Sequence, residues 1–276
     1  MPKMWELEQF KDKSAVLDEY GETVTYGQLN ADANLLAETI GHRCLVFCLC
    51  RSEIGSVIGY TAFINNGIVP VMLNSHLEEG LLQNLLNTYS PEYLWLPKDQ
   101  AGQFASMSIR HEVYNYVLLK TGYEKKYPLY EELGLLMTSS GSTGSPKFIR
   151  QSYENLLANT QSIVEYLKLD SSERPITTLP MNYVYGLSII NSHFMVGATI
   201  LLTEKGLMQK EFTRNEEWFR YIFDNREGKA DELCDYDVII GPIANDTIYD
   251  LFGITTSGYL TDEQSLQILS TGPCYR

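Results

Sequence analysis

The chain has 276 residues, of which 44% are hydrophobic, and it carries a net charge of −14 at neutral pH. This length predicts a globular protein of about two domains, since a domain typically holds roughly 150 residues. The negative charge argues against nucleic acid or an anionic membrane as partner, because both require clustered lysine and arginine. The first residues lack the apolar core of a secretory signal, and no apolar run approaches the ~20 residues of a membrane span. We therefore expect a soluble, cytoplasmic protein.

Five cysteines are present, and three of them, Cys44, Cys48 and Cys50, lie in one apolar run. Their spacing differs from the Cys-x-x-Cys pattern of zinc and redox sites. The run instead predicts a buried strand whose reduced thiols act as small apolar side chains. No metal site is predicted from these cysteines.

Strand and helix patterns alternate through the first hundred residues. Apolar residues at 15–17 and 23–26 flank a turn and predict a hairpin, and a helix with one apolar face follows from Tyr26 to Ile40. The later predicted elements are a strand at 45–49, a helix at 54–64, a strand at 68–73, a helix at 77–86 and a strand at 93–96. This alternation predicts an α/β domain built on a parallel sheet.

The stretch from Leu135 to Arg150 combines a buried strand with a glycine-rich loop. Gly141 and Gly144 let the backbone turn and approach a ligand closely, so that N–H groups can point at phosphate oxygens. Lys147 adds a positive charge. The loop also offers the hydroxyl groups of Ser139, Ser140, Ser142, Thr143 and Ser145. An anion site is predicted, with a flexible Gly/Ser linker as the alternative.

The loop differs from a Walker A loop, because Pro146 precedes the lysine where that motif has glycine. Residues 139–147 read Ser-Ser-Gly-Ser-Thr-Gly-Ser-Pro-Lys and resemble the Thr-Ser-Gly-(Ser/Thr)-Thr-Gly-x-Pro-Lys signature of the adenylate-forming enzymes, a family of acyl-CoA synthetases, peptide-synthetase adenylation domains and luciferases. The resemblance implies a layered parallel or mixed sheet. It also implies ATP with Mg²⁺ and a carboxylate as ligands, and it implies that the loop holds the ATP phosphates.

A second stretch resembles the same family. Residues 179–187 read Leu-Pro-Met-Asn-Tyr-Val-Tyr-Gly-Leu and are similar to Leu-Pro-x-x-His-x-x-Gly-Leu, after a helix that Ser152 is expected to cap. Tyr183 stands where the family has histidine, and Gly186 matches the family glycine. The resemblance implies that both shape the substrate pocket. Alternatively, Tyr183 and Tyr185 are core aromatic residues.

The later motifs of the family do not occur in this sequence. We find no Tyr-Gly-x-Thr-Glu, no Thr-Gly-Asp and no C-terminal lid with its lysine. Adenylation needs the positioning and charge neutralisation that the resemblance assigns to those residues. We therefore expect residues 1–212 to form a partial AMP-binding domain that is catalytically incomplete by itself.

Residues 213–276 have a different character and are expected to form a small α+β segment of different origin. A helix is predicted at 215–226, a strand with a Gly-Pro turn at 236–246 and a last helix at 260–266. The segment resembles part of an uncharacterised bacterial family with an ADP-ribosyltransferase-like fold. The resemblance makes Asn245 and Asp246 candidates for a catalytic role, while capping of the next segment is the alternative. A natural fusion, a recombined reading frame and an engineered sequence would all produce such a junction near Thr213.

Overall fold

The computed structural model describes residues 3–123, 128–138, 148–177 and 179–204. These residues form eleven strands and five α-helices, with 3₁₀ helices at Leu7–Phe10 and Lys98–Phe104. The strands are β1 Ser14–Asp18, β2 Thr23–Thr25, β3 Leu45–Cys50, β4 Val69–Asn74, β5 Tyr93–Pro97, β6 Ser108–Val113, β7 Tyr116–Lys120, β8 Leu133–Thr138, β9 Phe148–Ser152, β10 Ile176–Thr177 and β11 Ile200–Leu202. The helices are α1 Tyr26–Ile40, α2 Ile54–Asn65, α3 Glu79–Tyr89, α4 Tyr153–Leu167 and α5 Val184–Val196.

The larger sheet has seven strands in the order β6-β7-β5-β3-β4-β8-β9. Its four central strands, β5, β3, β4 and β8, are parallel, while β6, β7 and β9 pair in the antiparallel direction. The prediction of a parallel sheet therefore holds for the centre, and the sheet as a whole is mixed. Buried residues line the central strands without alternation, as expected for strands covered on both faces.

A second sheet of four strands has the order β10-β11-β1-β2. The hairpin of β1 and β2 was expected from the sequence. Strand β11 pairs in parallel with β1, with Val16 opposite Ile200. This pairing brings the first residues of the domain beside residues from its far end.

Helix α1 begins and ends where its sequence predicts. Thr25 and Gln28 form a reciprocal capping box at its start, and Gly41 ends it in the left-handed conformation with φ of 72°. Its buried residues are Tyr26 and the five residues of the predicted apolar face, Leu29, Ala33, Leu36, Ala37 and Ile40. The helix packs beside α2 on the main core of the domain.

Helix α2 is buried along almost its whole length. Two glycines make this close packing possible, because a Cβ at Gly55 would lie 2.8 Å from the Cβ of Tyr116, and one at Gly59 would overlap the indole of Trp95. The indole nitrogen of Trp95 donates to the carbonyl oxygen of Gly55 at 3.0 Å. These contacts fix the start of α2 just beyond the carboxyl end of β3.

None of the helices in the described ranges combines the length and apolar character that crossing a membrane requires.

Candidate functional site

The predicted phosphate loop is framed by the antiparallel hairpin of β8 and β9. Thr138, the last residue of β8, lies opposite Phe148, the first residue of β9. The residues between them, 139–147, lie outside the described residues, and so do the predicted phosphate ligands Ser139, Ser140, Gly141, Ser142, Thr143, Gly144 and Lys147. Because Val71 of β4 pairs in parallel with Leu136 of β8, strand β8 ends beside the carboxyl end of β4.

The carboxyl ends of the neighbouring parallel strands carry a connected set of polar side chains. Arg51, directly after β3, donates from Nε to the Ser75 hydroxyl at 3.4 Å and from Nη2 to the Asp99 carboxylate at 3.0 Å. Gln100 donates from Nε2 to the Ser75 carbonyl oxygen at 2.9 Å. The exposed His76 follows, and its backbone N–H donates to Asn74 at 2.8 Å. These bonds hold the residues after β3, β4 and β5 together at one edge.

A charged residue that follows a strand of the smaller sheet also lies near this edge. Burial and the nearby Glu204 carboxylate raise the pKa of Glu53 above its ordinary value, while Arg51 opposes them. Glu204 lies just beyond β11, and its charge also acts on Arg51. The carboxyl ends of strands from both sheets therefore converge here, which is where α/β sheets usually place ligands.

The turn before α5 contacts the start of α2 at the same edge. The Ser56 hydroxyl donates to the Met181 sulfur at 3.0 Å. The next residue, Asn182, is only 3% exposed, and its side-chain oxygen has no hydrogen-bond partner among the described residues. A buried amide oxygen without a partner costs free energy and is therefore an acceptor suited to a ligand.

The two pocket residues predicted from the second motif lie at the start of α5, next to this turn. Tyr183 occupies the N-cap position of α5 and is 52% exposed, so the alternative that it is a core aromatic residue is wrong. Gly186 is buried in the first turn of α5. A Cβ there would lie 2.5 Å from the Leu179 carbonyl oxygen and closer still to that of Pro180. Only glycine allows the turn to pack against the helix this closely.

One feature of the described residues fits a magnesium-bound nucleotide: the buried side-chain oxygen of Asn182 has no hydrogen-bond partner among them. An amide oxygen such as that of Asn182 can accept from a hydroxyl or amino group, or bind Mg²⁺.

Reasoning from the sequence did not single out Arg51, Ser75, His76 or Asn182. The first three lie within three residues of the carboxyl ends of predicted strands, so the rule that carboxyl ends meet at one edge could have found them. Asn182 lies within the second motif, but only its burial without a partner distinguishes it. The predicted tail elements, with Asn245 and Asp246, lie outside the described residues.

The sequence also matches a known family. The family described as AMP-binding enzyme matches residues 4–223, which is most of the chain. The chain belongs to the AMP-binding enzyme family. A second family, described as Protein of unknown function (DUF3990), matches residues 189–276 and overlaps the end of the first match.

Curated relatives of this AMP-binding chain are ligases. It is 25% identical to 2-succinylbenzoate–CoA ligase of Oceanobacillus iheyensis over 210 residues, which cover 72% of the chain and 43% of the relative. It is 21% identical to D-alanine–D-alanyl carrier protein ligase of Staphylococcus aureus over 201 residues, which cover 71% of the chain and 40% of the relative. The chain thus spans about two fifths of the length of these relatives.

Solved structures share the fold. Apo MatB from Rhodopseudomonas palustris superposes with a TM-score of 0.60 at 17% identity, over 71% of this chain and 43% of that chain. O-succinylbenzoate Coenzyme A synthetase (MenE) from Bacillus subtilis, in complex with ATP and magnesium ion, gives 0.59 at 19% identity, over 82% of this chain and 61% of that chain. The mixed α/β sheet is therefore the adenylate-forming fold that the motifs implied.

Proposed function

We propose that the chain forms the ATP-binding portion of an adenylate-forming ligase that activates a carboxylate. The observation that carries the proposal is the β8–β9 hairpin, whose paired ends Thr138 and Phe148 flank the glycine- and hydroxyl-rich sequence with Lys147 at the carboxyl edge of the parallel strands. Loop N–H groups, the hydroxyls and the ammonium group would bind the phosphate oxygens of ATP. Each charge-assisted bond contributes roughly 1.5–3 kcal/mol.

The reaction of such a ligase is a substitution at phosphorus. A carboxylate oxygen attacks the α-phosphorus of ATP, the new bond gives an acyl-adenylate, and the bond to pyrophosphate breaks. Mg²⁺ would neutralise phosphate charge when bound. On the protein side, the loop would orient the phosphates for in-line attack, while Tyr183 and Gly186 would shape the neighbouring wall.

We further propose that this chain binds nucleotide without turning it over. Residues 1–212 would form the partial AMP-binding domain and residues 213–276 a separate α+β segment. The family motifs absent from the sequence would supply the remaining charge neutralisation, so pyrophosphate release should stay at background. Nucleotide binding would require only the loop and the β8–β9 hairpin that flanks it.

Calorimetric titration of the whole chain with Mg-ATP tests the proposal. We expect saturable binding that weakens at least several-fold in Lys147→Ala. The matched control is Lys98→Ala, which removes an equal charge at the same edge. Lys98 follows β5, three strand positions from β8, or roughly 14 Å. That separation exceeds the Debye length of ~8 Å at physiological salt. Absence of binding in the parent chain, or equal binding by all three proteins, would refute the proposal.

A second candidate function rests on the match of residues 189–276 to the family of unknown function. The ADP-ribosyltransferase-like resemblance makes NAD the ligand to test, with the C-terminal segment as the active part. NAD cleavage that disappears in Asn245→Ala or Asp246→Ala would favour this candidate. A chain inert toward NAD would exclude it.

A further inference from the structure

Three potential metal ligands meet at the opposite, amino edge of the larger sheet. His42 follows α1, Cys44 directly precedes β3, and Glu92 directly precedes β5. One ligand atom from each side chain lies within 4.8 Å of the other two. Strands β3 and β5 are parallel neighbours, with Val46 opposite Tyr93, so the sheet places Glu92 opposite Leu45, the residue next to Cys44. Thr138 and Phe148, which flank the predicted phosphate loop, lie toward the other edge of this sheet.

The hydrogen bonds of His42 define which ring nitrogen can bind a cation. Nδ1 lies 2.8 Å from the Ile40 carbonyl oxygen, a group at the end of α1 that can only accept, so Nδ1 carries a hydrogen. Metal-bound histidines usually have their second ring nitrogen oriented by such a carbonyl. Nε2 is then the nitrogen that faces the other two side chains.

Nε2 lies 2.9 Å from Oε2 of Glu92. With a hydrogen on Nδ1, the neutral ring presents a lone pair at Nε2, and the carboxylate oxygen also presents lone pairs. The contact is therefore completed either by a hydrogen shared between the two atoms or by a metal ion bound to both. A metal ion at this point would also be within reach of the Cys44 sulfur.

The surroundings of the three ligands are suitable for an ion at a protected but accessible position. Cys44 is 6% exposed, whereas the side chain of His42 is 47% exposed and can move toward a metal. Lys120 bonds Oε1 of Glu92 at 2.5 Å, which leaves Oε2 facing the site. Nitrogen and sulfur ligands of one tetrahedral Zn²⁺ lie about 3.5 Å apart, so the ligands need shifts of roughly 1 Å.

We propose that His42 Nε2, Cys44 Sγ and Glu92 Oε2 form a Zn²⁺ site, with solvent as the fourth ligand. The combination of nitrogen, sulfur and carboxylate oxygen is one that Zn²⁺ accepts and that Mg²⁺ and Ca²⁺ do not favour. On binding, Zn²⁺ displaces the thiol proton of Cys44 to the solvent. The site joins α1, β3 and β5 and is separate from the proposed nucleotide site.

The test uses the full chain carrying Cys234→Ser and Cys274→Ser, which removes the two cysteines outside the described residues. Zn²⁺ affinity is measured by competition with a chromophoric chelator. Thiolate ligation is read from the charge-transfer band of Co²⁺ bound in place of zinc. We expect one Zn²⁺ per chain and a thiolate–cobalt band.

The variants separate this site from adventitious binding. Cys44→Ser should lose the cobalt band, and His42→Gln and Glu92→Gln should each weaken Zn²⁺ binding at least tenfold. His76→Ala removes an exposed histidine at the opposite edge and should bind as the parent does. Because His42 is half-exposed, its variant remains informative if the Cys44 variant folds poorly. Failure of the parent to bind one Zn²⁺, or unchanged binding in His42→Gln, would overturn the proposal. Neither result bears on Mg-ATP binding.

Discussion

Replacing Gly186 with alanine tests whether the turn before α5 is held by close backbone packing. Helix propensity alone predicts that Gly186→Ala stabilises the chain by up to ~1 kcal/mol. The new Cβ, however, would lie 2.5 Å from the Leu179 carbonyl oxygen and 2.8 Å from the Pro180 carbonyl carbon. These are backbone atoms, so the turn itself would have to move.

Overpacking of this kind costs roughly 1–3 kcal/mol. Because the clash is with backbone atoms, which cannot move aside as a side chain can, we take the upper end of this range, about 3 kcal/mol. Subtracting the gain in helix propensity leaves a net loss of about 2 kcal/mol in the free energy of unfolding, or roughly 30-fold in the folded-to-unfolded ratio. The same movement of the turn would displace Asn182 and Tyr183 from the carboxyl edge of the parallel strands.

Urea unfolding followed by tryptophan fluorescence and circular dichroism measures this difference. Gly80→Ala is the matched control, because Gly80 also lies in the first turn of a helix, α3. Its Cβ would approach only the flexible Glu78 side chain, at 2.9 Å. We expect the control to be neutral or up to ~1 kcal/mol more stable. A Gly186→Ala chain as stable as the parent would refute the argument from packing.

Two further predictions concern buried polar groups near the same helix. Burial lowers the pKa of His193 to about 4, so the unfolded chain takes up a proton that the folded chain excludes. The free energy of unfolding should keep its full value above pH ~6.5, the pKa of histidine in the unfolded chain. It should fall by about 2 kcal/mol between pH 7 and 5. The urea midpoint should therefore depend less on pH in His193→Gln than in the parent chain. An equal pH dependence in the two chains would show that His193 is not the group responsible. Asn182→Leu should leave the free energy of unfolding equal or higher, since it removes a buried oxygen without a partner, while weakening Mg-ATP binding several-fold. A less stable Asn182→Leu chain would show that the amide is structurally required.

Elements with a clear apolar period could be predicted from the sequence. The boundaries of α1 and the burial of its face follow from local capping and spacing alone. Strand β6 was not predicted, because its residues are largely exposed and carry little apolar pattern. It exists as an edge strand through its pairing with β7, and pairing of this kind is a tertiary property.

The sequence by itself determined the family and the α/β alternation and predicted a phosphate loop, because each of these rests on patterns within a few consecutive residues. The tertiary structure decided which distant segments meet. It paired β1 with β11 and brought Arg51, Ser75 and Asp99 to one edge. The cysteine spacing alone gave no metal site, whereas the tertiary structure brings His42, from the end of α1, and Glu92, from the start of β5, next to Cys44. Strand order depends on long-range pairing and packing, which local sequence patterns do not encode.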